Sequence, residues 1–151
     1  GYNNSLKDVI SRHRELKKQL KSQGFRGALV SFDWPSASVG INYLEDRADA
    51  RLTAIRLVDD GITLFTTLQK RGCSINVHLL AHSTGAYIVR EAFDDADDRR
   101  LIATTNWSVS QIAFIGADVS SRSMREDDSK SASLYRHCVR LTNYQNPYQT
   151  I

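Results

Sequence analysis

"HLLAHSTGAYIV" (residues 78–89) decides how this chain is read. One apolar run meets Ala-His-Ser-Thr-Gly and becomes a second apolar run, with no polar linker between them. Strand, sharp turn, helix is the arrangement that lifts a serine above the edge of a sheet. The pattern small-x-Ser-x-small is weak by itself: at ordinary Gly and Ala frequencies about one chain in four of this length holds it by chance. Its flanks carry the reading. A nucleophile on such a turn sits at a strained backbone angle so that its hydroxyl projects, and strand and helix approach closely two residues to either side. Ala81 and Gly85 leave that room, with Ala81 standing where Gly is commoner. The helix that follows points its N-terminus at Ser83, and the Thr84 N–H becomes an oxyanion donor. The competing reading makes Ser83 an ordinary N-cap, a position serine favours.

Outward from that turn, apolar runs alternate with helical periodicity. "SINVHLL" (74–80) predicts the strand that feeds the serine, and residues 86–93 a short buried helix. Upstream, "GALVSFDW" (27–34) predicts a buried strand ended by Pro35. Ala48, Leu52, Ile55, Val58, Ile62, Phe65 and Leu68 predict a long helix, with a bend at Gly61 and a stop at Gly72. A first helix is capped by Asn4 or Ser5, with Asp8 as the capping-box acid; it carries Leu6, Val9, Ile10, His13, Leu16 and Leu20 on one stripe and stops at Gly24. Downstream, residues 110–118 and 137–144 predict two further strands. Residues 121–133 read as a polar loop with at most one helical turn. The class is α/β: one domain over residues 1–151, a three-layer sandwich with a mostly parallel sheet and helices on both faces.

Composition narrows the function. The 151 residues are 41% hydrophobic and 25% charged, with a net charge of +3, an ordinary globular balance. The local basic excess (Lys7, Arg12, Arg14, Lys17, Lys18, Lys21) is explained by a solvated helix face, so nucleic acid is not an expected partner. No run reaches the length of a membrane span and no signal peptide is visible; the chain starts at Gly1, so a targeting segment can precede it. Cys73 and Cys138 have no metal spacing and read as buried thiols of a reducing compartment, hence a cytoplasmic location. The acids Glu91, Asp94, Asp95, Asp97 and Asp98 read as a solvated helix end rather than a metal cage.

The histidines do not offer Ser83 a base. His82 is its neighbour and points to the other face of the strand. His78 lies five residues upstream, His13 at the edge of the first helix's stripe, and His137 at the opposite end of the sheet.

Here the chain resembles the α/β-hydrolase superfamily, and within it an uncharacterised bacterial branch called domain of unknown function 900. The resemblance rests on "GYNNS" (1–5), "FDWPS" (32–36), "YLEDRADA" (43–50), "HLLAHSTG" (78–85) and "IGADV" (115–119), which span most of the chain in the expected order. It implies a Ser–acid–His triad needing no metal or organic cofactor, with Ser83 as nucleophile. It also implies an oxyanion hole shared by the Tyr2 and Thr84 N–H groups. The matching His-Gly would place its His before Gly1, the triad His is expected past Ile151, and Gln149 stands about where relatives can carry Asp. Asp118, after the previous strand, is the remaining acid candidate; its simpler role is to cap the segment that follows. Trp34 is a candidate wall of the substrate pocket.

Two expectations follow. The first is a fragment of a serine hydrolase acting on a small-molecule ester, thioester or amide, whose 151 residues alone fold poorly and are inactive, since a missing central strand leaves unpaired edges. The second is a catalytically inactive binding or scaffold protein on the same fold.

Overall fold

The computed structural model describes residues 5–34 and 43–145. Its first helix, α1 (Leu6–Ser22), begins at the predicted capping box: Ser5 Oγ accepts from the Asp8 N–H at 3.2 Å, and the Asp8 carboxylate accepts from the Ser5 N–H at 3.1 Å. Gly24, at φ +82°, ends it. No α1 residue is fully buried: Leu6 and Ile10 are exposed, while Val9, His13, Leu16 and Leu20 are half-buried.

Residues 27–34 are not the predicted strand. They form no strand, and Val30 is 84% exposed. An apolar run favours extended backbone, but a strand exists only through ladder hydrogen bonds to a neighbour. Among the described residues no strand lies beside this segment.

The long helix appears as α2 (Tyr43–Arg56), a π-helical stretch (Leu57–Ile62) and α3 (Thr63–Lys70), continuous in sequence. Gly61, where the sequence predicts a bend, lies inside this π-helical stretch. A Cβ on Gly61 would meet Leu57 Cδ1 at 3.1 Å, tighter than side-chain packing normally allows.

Three parallel strands follow, β1 (His78–His82), β2 (Gln111–Ile115) and β3 (Leu141–Tyr144), in the order β1-β2-β3. The parallel arrangement and the class match the sequence expectation, while the strands are shorter than predicted. Residues 137–140 precede β3: a bridge pairs Val109 with Cys138, and the Arg140 carbonyl accepts from the Ile112 N–H at 2.9 Å. Helices α4 (Thr84–Asp98) and α5 (Arg100–Ala103) connect β1 to β2. A 3₁₀ turn (Arg122–Met124) and α6 (Ala132–Arg136) occupy the polar segment before β3.

Strand alternation sorts the two faces. Ala81, Ile112 and Phe114 are buried in the core with α4, whereas Leu80, His82, Ile115 and Tyr144 are exposed. Small residues of α4 (Ala86, Ala92, Ala96) let it sit close, and Val58, Ile62, Phe93, Trp107 and Leu134 complete the packing. Full burial of such side chains stabilises by about 1.5–3 kcal/mol each.

The acidic cluster is not simply solvated. Glu91 is buried, bonded to the equally buried Arg90 at 2.8 Å and approached by Lys130 at 3.4 Å and Arg51 at 3.6 Å. Burial pushes its carboxyl up; the Arg90 hydrogen bond and the Lys130 and Arg90 charges outweigh this and hold it below the usual carboxylate range. Asp97 is bonded to His137 and Arg136. The thiols also depart from expectation: Cys73 is exposed, and Cys138 is only partly buried. The Cys73 side chain follows the end of α3 at Gly72, before the chain reaches the sheet.

Candidate active site

Ser83 occupies the single residue between β1 and α4. Its backbone is at φ 55°, ψ −128°, and among the described residues it is the one non-glycine with positive φ. Holding a residue with a Cβ there costs on the order of 1–3 kcal/mol. Although Ser83 stands at the N-cap position, its side chain makes no capping hydrogen bond. The ordinary-cap reading needs a bond from Ser83 Oγ to the first helical turn, and that bond is absent.

What holds the strained residue is backbone. Its N–H donates to the Ile115 carbonyl at 3.2 Å, and its carbonyl accepts from the Asp118 N–H at 3.1 Å and the Ala86 N–H at 3.0 Å. Across the turn, a Cβ added at Gly85 would lie 3.8 Å from the Ala81 Cβ, so the two small residues face each other at ordinary contact distance. Thr84 opens α4, where a backbone N–H falls outside the helix's own ladder.

Asp118 is thus brought next to Ser83 through its main chain. Its half-exposed carboxylate has no hydrogen bond or ion pair among the described residues. Trp34 is partly buried and packs against the core. Tyr2 and Gln149 lie outside the described residues.

The structure brings no histidine side chain into hydrogen bonding with Ser83 among the described residues. His78 and His82 are exposed and share a face of β1 with Leu80, alternating with Leu79 and Ala81. His13 Nδ1 lies 2.7 Å from Ser31 Oγ. His137 is buried: Nδ1 is 2.9 Å from the Trp107 carbonyl, Nε2 is 2.7 Å from Asp97, and its ring stacks on Trp107 at 3.9 Å with a 7° interplanar angle. It sits beside the Val109–Cys138 bridge, before the strands begin, whereas Ser83 sits after β1 ends. Six residues of strand, roughly 20 Å, separate those levels.

Sequence reading missed Ile115 and Gly116, whose backbone lies against the serine turn. The signal was available: a Gly directly after an apolar run, in "FIGAD", marks a sharp change of direction at a strand end.

The family model for alpha/beta hydrolases of unknown function (DUF900) matches residues 1–149. The chain belongs to this family. No curated protein and no solved structure matches it. DUF900 membership accords with the parallel sheet and with the serine turn between β1 and α4, and it makes hydrolysis the class of activity to consider. Among the described residues, no helix is long and apolar enough to cross a membrane.

Proposed function

We propose that this DUF900 protein is a serine hydrolase acting on a small-molecule ester, thioester or amide, with Ser83 as nucleophile. The observation that carries the reading is the positive φ of Ser83 combined with a hydroxyl that caps nothing. Strain of this kind persists only where the surroundings enforce it, and it concentrates at sites of chemistry. Ser83 Oγ attacks the substrate carbonyl, the carbon–leaving-group bond breaks and the alcohol, thiol or amine departs with the proton taken from the serine, and water then hydrolyses the acyl-enzyme to release the acid. The proton passes to a base that the described residues do not supply, oriented by Asp118 or by another acid. The backbone N–H groups of Thr84 and Tyr2 hold the oxyanion, and Trp34 walls the acyl or leaving-group pocket. The chemistry calls for no metal or organic cofactor, and the reading places the protein in the cytoplasm.

A fluorophosphonate probe tests this on the full-length protein. Wild type is expected to be labelled on Ser83, and Ser83→Ala is expected to take no label. An unlabelled wild type contradicts the proposal, and label persisting in the variant moves the nucleophile elsewhere. A second reading, a non-catalytic binding or scaffold module, is favoured by one observation: no imidazole meets Ser83 among the described residues. It predicts the unlabelled outcome together with an intact fold.

A further inference from the structure

We infer that Gly116 is a positioning residue for Ser83, setting the turn that clamps the strained serine from the neighbouring strand. The inference rests on the nucleophile reading above and concerns what holds that nucleophile in place.

β1 and β2 are register partners through His82 and Ile115, so Ser83 and Gly116 are the next residues on two adjacent strands. Gly116 is at φ +51°, in the left-handed region. From there the chain doubles over the Ser83 peptide unit. Ile115 takes the Ser83 N–H at 3.2 Å, and Asp118 gives its N–H to the Ser83 carbonyl at 3.1 Å. Both polar groups of one residue are therefore held by a four-residue loop, 115–118. Only two residues separate the acceptor from the donor, so the direction must change within that interval, and the left-handed step at Gly116 makes the change. The outer side of the loop is fixed as well: the Gly116 N–H donates to the Tyr144 carbonyl at 2.9 Å, tying the clamp to β3.

The consequence for Ser83 is mechanical. A residue with a Cβ leaves φ near +55° whenever its neighbours permit, because steric repulsion favours negative φ. Two hydrogen bonds from one short loop oppose that relaxation. If Gly116 moves to negative φ, Ile115 and Asp118 can no longer both reach the Ser83 peptide, and the hydroxyl loses its orientation. The same turn brings the Asp118 main chain against the serine. Gly116 contributes no atom to the reaction.

The test uses the full-length protein with Gly116→Val and Gly116→Asn. A β-branched residue resists positive φ strongly, whereas Asn visits the left-handed region with little penalty. Two quantities are read: the rate of fluorophosphonate labelling at Ser83, and hydrogen exchange at the Ser83 and Asp118 amides. Gly116→Val is expected to slow labelling by about tenfold to a hundredfold and to speed exchange at both amides, while α4 amides stay protected. Gly116→Asn is expected to stay within about threefold of wild type in both readings. If Gly116→Val does not fold, Gly116→Ala takes its place, with effects between those of Asn and Val. A folded Gly116→Val that labels at the wild-type rate with protected amides overturns the inference alone, as does Gly116→Asn behaving like Gly116→Val. A wild type that takes no label overturns the nucleophile reading and this inference with it.

Discussion

At the C-terminal edge of the sheet, Ser83 carries backbone strain and a hydroxyl that caps nothing. At the N-terminal edge, His137 has both ring nitrogens against acceptors, one ring face stacked on Trp107, and an Asp97 partner that also binds Arg136. A list of residue types would combine the two into a serine, a base and an acid. Geometry separates them by roughly 20 Å of strand. The difference is one of local ease: His137 and Asp97 are partnered on both sides and so contribute to holding the fold, although the stacked Trp107 keeps its buried Nε1 without an acceptor, whereas the Ser83 turn is maintained against its own preference. Local rules broken at one residue, while its surroundings obey them, mark the place where chemistry is sought.

The largest effect is expected between the two ends, on α4. Glu91→Ala leaves Arg90 buried without its carboxylate partner and is expected to cost about 3–5 kcal/mol, read as a lower urea midpoint. The site reading requires that whatever remains folded still labels at Ser83. Next, His137→Ala removes a stacked ring and two hydrogen bonds and is expected to cost about 2–4 kcal/mol, again by urea denaturation. Labelling per folded molecule should be unchanged. Loss of labelling at full foldedness would mean that His137 serves the site, and the separation of the two ends would fail.

A pH series sharpens the same contrast. The Glu91 carboxyl is held below its ordinary range in the fold, so its contribution is present above that range and is lost as pH falls through the folded value. Unfolding midpoints should therefore drop on acidification, and Glu91→Gln should flatten that part of the profile. Asp94 works in the opposite direction. Burial, first, and then the Asp98 and Glu91 charges push its carboxyl up despite Lys130 and Arg90, so its ionisation opposes folding. Asp94→Asn should accordingly raise the midpoint at neutral pH by a small amount, on the order of 0.5 kcal/mol once its partial exposure is discounted.

How much of this was legible in the sequence depends on the range of the cause. The serine turn was readable because strand, small residues, serine and helix are contiguous in "HLLAHSTGAYIV". The α1 cap was readable because Ser5 and Asp8 are three residues apart. Residues 27–34 misled because apolar composition is local while strand pairing is not. The acidic cluster misled for the same reason: Glu91 meets Lys130, and Asp97 meets Arg136 and His137, about forty residues downstream. Of the site, the serine turn followed from contiguous pattern, while Asp118 was named only through the family resemblance, as the remaining acid candidate. The clamp from Ile115 and Gly116 depended on which strand lies beside β1, a fact of topology.

The central claim is that Ser83 is kept strained for the sake of its hydroxyl. Its most direct test is one paired measurement on Ser83→Gly in the full-length protein: fluorophosphonate labelling and thermal midpoint on the same sample. Glycine accepts positive φ without steric cost. The account predicts complete loss of label together with a higher midpoint, reflecting roughly 1 kcal/mol of relieved strain. A variant that loses no label, or one that melts at or below the wild-type midpoint, would contradict it.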